Sequence, residues 1–134
     1  YTDLVLIIVG SVGSNGGTQI RFNGDSGGNY SFTRFTGDGT TASSDKSASN
    51  QTFMESGYYL SGIQNMDVIH IMNYSNSTTY KTMLTRTAAQ SSNMGSQLYG
   101  QSWRSTSAIN SVTINNAGNF TSGTMFTIYG IAAA

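Results

Sequence analysis

The apolar residues of this chain come in short runs. In most of them every second residue is apolar, and no window of useful length carries the 3.6-residue spacing of an amphipathic helix. That pattern restricts the chain to β structure. Thr18-Gln19-Ile20-Arg21-Phe22 alternates with Ile20 and Phe22 on one face, and Tyr30-Ser31-Phe32 alternates in the same way. Phe35 falls out of phase with Tyr30 and Phe32, which predicts a bulge. In Met66-Asp67-Val68-Ile69-His70-Ile71-Met72 the expected inward pair is Ile69 and Ile71, with Asp67 and His70 facing differently. Leu4-Val5-Leu6-Ile7-Ile8-Val9 is continuous and reads as a strand buried on both faces.

Strands are also expected over residues 80–86 and 97–103. The closing segments 109–114 and 125–129 flank Gly118-Asn119-Phe120 and read as a hairpin. Residues 37–51 lack a large apolar side chain and read as a long exposed loop; residues 58–62 read as an aromatic loop, and 88–96 as a loop of small residues. The sum is about eight or nine strands separated by Gly/Asn/Ser turns. The expectation is all-β: a single antiparallel β-sandwich, jelly-roll-like, with residues 1–134 as one domain.

Composition narrows function. Charged residues are 9% of the chain, against about 25% in a typical domain. Ser, Thr, Asn and Gly supply 65 of 134 residues, a polar, weakly charged balance expected of an exported or particle-exposed β protein. Six Lys or Arg against six Asp or Glu give no excess positive charge for phosphates, so neither nucleic acid nor an acidic membrane is an expected partner. Cysteine is absent, and with it disulfides, thiol nucleophiles and thiolate metal sites. Proline is absent too; edge strands must then be shielded in another way or paired with neighbouring subunits.

Catalytic readings find little support. His70 is the only histidine, and no Gly-x-Ser-x-Gly elbow accompanies it. Glu55 and Asp67 are the acids an enzyme would draw on, Glu55 beside Tyr58 and Tyr59, but a glycosidase needs two acids that converge. Asn23-Gly24-Asp25-Ser26-Gly27-Gly28-Asn29 lacks the alternating acids of a calcium loop and is explained as a hairpin turn. No catalytic residue, metal or cofactor is expected. The aromatic side chains Tyr58, Tyr59, Tyr99 and Trp103 are the candidates for contact with a partner or a glycan, since rings beside neutral polar groups suit both.

Several segments carry a likeness in the same order. They are Ile20-Arg21-Phe22-Asn23-Gly24-Asp25 with Asn29-Tyr30-Ser31, then Tyr80-Lys81-Thr82 with Arg86, then Trp103-Arg104-Ser105-Thr106. Ala108-Ile109-Asn110-Ser111-Val112-Thr113-Ile114, Gly118-Asn119-Phe120, Ser122-Gly123-Thr124 and Phe126-Thr127-Ile128-Tyr129-Gly130-Ile131 follow. The set spans residues 20–131 and resembles structural proteins of tailed-bacteriophage virions, found as fibre, tail or capsid-surface components and common in cyanophages. The resemblance implies a non-enzymatic β-sandwich on the exterior of a particle, with copies of itself and other virion proteins as partners. The frame is expected from residues 4–9 and 125–129, and partner contact from residues 37–51 and 58–62. The alternative is a module that recognises host-surface glycan through Tyr58 and Tyr59.

Overall fold

The computed structural model describes residues 1–47, 49–91 and 94–132. Ten strands form, in the order β1 (Asp3–Gly10), β2 (Gly16–Phe22), β3 (Tyr30–Gly37), β4 (Ala42–Lys46), β5 (Met54–Tyr59), β6 (Asn65–Met72), β7 (Lys81–Ser91), β8 (Met94–Trp103), β9 (Val112–Asn116) and β10 (Met125–Ile131). Every paired strand is antiparallel. Seven build one sheet in the order β10-β1-β6-β7-β8-β3-β4, and three build a second in the order β5-β2-β9. The protein is an all-β antiparallel sandwich, as its alternation predicts, but its two layers are unequal.

Alternation settles most of the interior. Leu6 and Ile8 on β1, Ile69 and Ile71 on β6, Met83 on β7 and Trp103 on β8 point inward from the large sheet. Ile20 and Phe22 on β2 and Met54 on β5 meet them from the small one. Tyr30 stacks on Trp103 at 6.3 Å between ring centroids, and Phe22 tilts against the same indole at 5.4 Å.

The structure corrects several expectations. Residues 109–114 and 125–129 do not form a hairpin: β9 pairs with β2 in the small sheet, while β10 pairs with β1 in the large one. The connection crosses between layers, and Gly118 makes that crossing possible. A Cβ there would lie 1.7 Å from the Ser14 carbonyl oxygen, so only hydrogen fits. Within 37–51 the chain makes the edge strand β4, and Tyr58 and Tyr59 belong to β5. Residues 88–91 and 94–96 extend β7 and β8, while residues 92 and 93 of the expected small-residue loop lie outside the described residues. Phe35 sits in regular register opposite Leu98, with no bulge; it points to the other face of the sheet and is 53% exposed. β1 is not buried on both faces, for Val5, Ile7 and Val9 are only half-buried.

Candidate functional site

Three of the four aromatic side chains expected at a contact surface lie inside the sandwich. Tyr59 and Tyr99 are fully buried and Trp103 is 2% exposed, so none can offer a ring to a partner or a glycan. Only Tyr58 remains on the surface. The interior holds Trp103 and Tyr99 through their polar ends as well. Trp103 Nε1 donates to the Asp25 carboxylate at 2.7 Å, and the Tyr99 hydroxyl donates to Gln97 Oε1 at 2.9 Å.

The first of these bonds belongs to a latch built from the segments that carry the likeness. Asp25 also accepts from the Gly27 amide and from Asn29 Nδ2. Asn23, at φ 54°, donates through Nδ2 to the Ala108 carbonyl and accepts through Oδ1 from the Asn110 and Ser111 amides. Arg104 donates to the Gly28 and Ser49 carbonyls. The Arg-Phe-Asn-Gly-Asp turn and the Trp103–Ser111 segment are thus one hydrogen-bonded unit. Partial burial opposes the Asp25 charge, but the donors from Trp103, Asn29 and Gly27 outweigh it and hold the carboxyl below its usual range. This cluster is structural, and its carboxylate is spent on protein donors.

A second polar cluster lies between the sheets at the opposite end of the inner face. Ser56, Asp67, Thr85, Thr87, Gln97 and Gln101 are buried there. Asp67 shares the inward face with Ile69 and Ile71, contrary to the expectation that it faces elsewhere. Ser56 donates to its Oδ2 at 2.6 Å, but Asp67 Oδ1, the Tyr59 hydroxyl and Gln101 Oε1 have no partner among the described residues. Burial pushes the Asp67 carboxyl up from 3.8 to about 6, with the Ser56 hydroxyl opposing the shift. Glu55, also pushed up by burial, pairs with Arg34 at 3.3 Å, and Arg34 chelates Asp45 across β3 and β4. Among the described residues no three His, Cys, Asp or Glu converge on a point where a metal could sit. His70 pairs with Asp3 at 2.9 Å, and among the described residues no hydroxyl hydrogen-bonds the ring.

The third feature is the outer face of the large sheet. An antiparallel sheet with one buried face ordinarily turns polar residues outward. Here Val5, Ile7 and Val9 on β1 stand beside Met66 and Val68 on β6. Leu84 on β7, Leu98 on β8 and Phe35 on β3 continue the surface. Met66, Leu84, Leu98 and Phe35 are all more than a third exposed. A single exposed leucine means little, but an apolar surface spread over five strands, interrupted by Arg86 between Val68 and Leu98 and by His70 between Val5 and Leu84, marks an interaction site. Within it an open groove of about 680 Å³ runs between Phe35, Met66, Val68, Ala88 and Leu98, with Arg86 at its side.

β10 joins the large sheet beside β1, as the expected frame requires, but it is exposed along its whole length. Comparison with family models, with curated proteins and with solved structures finds no match to this chain.

The signal for the outer face was present in the sequence. Met66, Val68, Leu84, Leu98 and Phe35 occupy the phase opposite to the buried residues of their strands.

Proposed function

We propose that this protein is a structural component of a tailed-phage virion, a β-sandwich that assembles on the particle through repeated contacts between copies. The observation that carries the reading is the apolar outer face of the seven-stranded sheet, which an isolated domain would leave in water. Polar residues take much of the interior instead: among the described residues ten polar side chains join fourteen apolar ones there. Burial inside one chain is correspondingly modest, and contacts between chains would add what the core lacks. The ordered segments from Ile20 to Ile131 support the particle context.

Glycan recognition, the alternative, is weakened because Tyr59, Tyr99 and Trp103 are withdrawn into the core. Quantitative mass spectrometry of purified particles tests the leading reading. The chain should be present in a copy number that is a multiple of the particle's local symmetry. Its absence from washed particles would overturn the proposal.

A further inference from the structure

The two edges of the large sheet are unlike. At the β4 edge, Asp45 and Lys46 put both signs of charge on a five-residue strand, and Arg34 of β3 pairs with Asp45. Charged, short edges of this kind discourage pairing with another chain. At the β10 edge the sequence Met125-Phe126-Thr127-Ile128-Tyr129-Gly130-Ile131 has no charge and no proline. It pairs with β1 in unbroken register from Val9↔Met125 to Asp3↔Ile131. Its far side therefore carries a row of backbone N–H and C=O groups with no strand beside them among the described residues.

The side chains of this edge are apolar on both faces. Phe126 and Ile128 lie opposite Ile8 and Leu6, so they share the core-side face of the sheet. The three-stranded layer does not cover them; Phe126 packs edge-on against Phe120 at 5.1 Å, and Ile128 is 54% exposed. On the outer face Met125 and Tyr129 are 60% and 55% exposed, directly continuing the apolar surface of Val5 and Val9. Tyr1 lies over Gly130, where a Cβ would come within 2.4 Å of its ring, and is itself exposed.

We infer that β10 pairs antiparallel with β10 of a second copy of this chain, joining two seven-stranded sheets into one continuous sheet. This inference rests on the assembly reading above and names one of its contacts. A twofold axis through Ile128 uses the full strand. It sets Phe126 opposite Gly130, Thr127 opposite Tyr129 and Met125 opposite Ile131. Tyr129 then meets Thr127 and Met125 meets Ile131, Ile128 meets its own copy, and Phe126 comes against the Tyr1 ring that covers Gly130. Because the axis stands perpendicular to the sheet, Phe126, Ile128 and Tyr1 of both copies fall on the same side, in the space between the two small layers. The apolar side chains of β10 together with Tyr1 expose on the order of 700 Å² over both faces of the sheet, an upper bound on what the pairing covers, against the ~800 Å² that each partner gives to a standard interface. No like charges oppose one another across the axis, since the strand has none.

The test is the solution mass of the chain by light scattering and sedimentation, from low micromolar to roughly 100 µM, a range that brackets a micromolar Kd. The expected result is a dimer of twice 14.2 kDa. Ile128→Lys and Tyr129→Lys should each weaken dimerisation at least tenfold with an unchanged circular dichroism spectrum, because both side chains are exposed in the single chain. Leu98→Glu, on the outer face away from β10, should leave the dimer intact. Hydrogen exchange should slow with rising concentration at alternate amides of β10.

A monomer at every concentration overturns the inference. So does a dimer that survives Ile128→Lys but is lost in Leu98→Glu, which would place the contact on the sheet face. Neither outcome bears on whether the chain occurs in particles, so the two proposals fail separately.

Discussion

Asp25 and Asp67 show how position decides what an identical side chain does. Asp25 collects three donors, and its carboxyl is held below the ordinary range. Its contribution to stability is therefore present above about pH 4 and is lost as pH falls through its lowered pKa. Asp25→Ala would leave Trp103 Nε1 without its acceptor in a buried setting and should cost about 2–3 kcal/mol, read as a lower unfolding midpoint in urea. Asp67 behaves oppositely. Its folded pKa of about 6 lies above its unfolded value of 3.8, so the folded chain binds the extra proton between them. Stability from this group is present at low pH and is lost as pH rises through 6. Two pKa units correspond to about 3 kcal/mol, so Asp67→Asn should stabilise the protein at pH 7 by up to about that amount and flatten the pH dependence between 4 and 6. Thermal unfolding of both proteins across that range checks the sign. Asn23 adds a backbone argument: at φ 54° it holds three hydrogen bonds to the Ala108–Ser111 segment. Asn23→Ala should cost about 2 kcal/mol in chemical unfolding, whereas Asn23→Gly should recover only the conformational part, near 1 kcal/mol.

Strands were legible in the sequence where side-chain period was the whole signal. β2, β6 and β8 follow from alternation alone, and Ile20, Phe22, Ile69 and Ile71 point where it places them. Asp67 is an instructive miss: alternation with Ile69 and Ile71 put it inward, and only the expectation that charge faces water argued otherwise. Phe35, out of phase with Tyr30 and Phe32, reads as a bulge in the sequence, but it keeps the register and simply faces the other side of the sheet. Pairing was less legible than period. Segments joined by a short polar turn look like a hairpin, yet β9 and β10 part to different sheets because Gly118 lets the chain pass against Ser14. Gly118→Val should therefore unfold the crossing or shift both segments, with a loss of at least about 2 kcal/mol measured by thermal denaturation. β4 could not be read at all, since its five residues are exposed and carry no apolar period.

The whole molecule is shaped by the inequality of its layers. A three-stranded sheet covers part of one face of a seven-stranded sheet, which leaves the inner side of β10 and the entire outer face open. The surface proposed for assembly is thus a sheet face and an edge; of the segments the sequence pointed to, 37–51 contributes Gly37, Ala42 and Ser43 to the groove on that face, and 58–62 lies outside the groove. Leu98→Glu and Val68→Glu should leave the melting temperature of the isolated chain within about 2 °C of the parent, because both side chains face outward, while reducing incorporation into particles at least tenfold. The most direct measurement is oxidative footprinting of Phe35, Met66 and Leu98, in the free chain and in purified particles. The account predicts rapid labelling of all three in the free chain and strong protection of all three in the particle. Equal labelling in both states would show that the apolar face stays in water, and would contradict it.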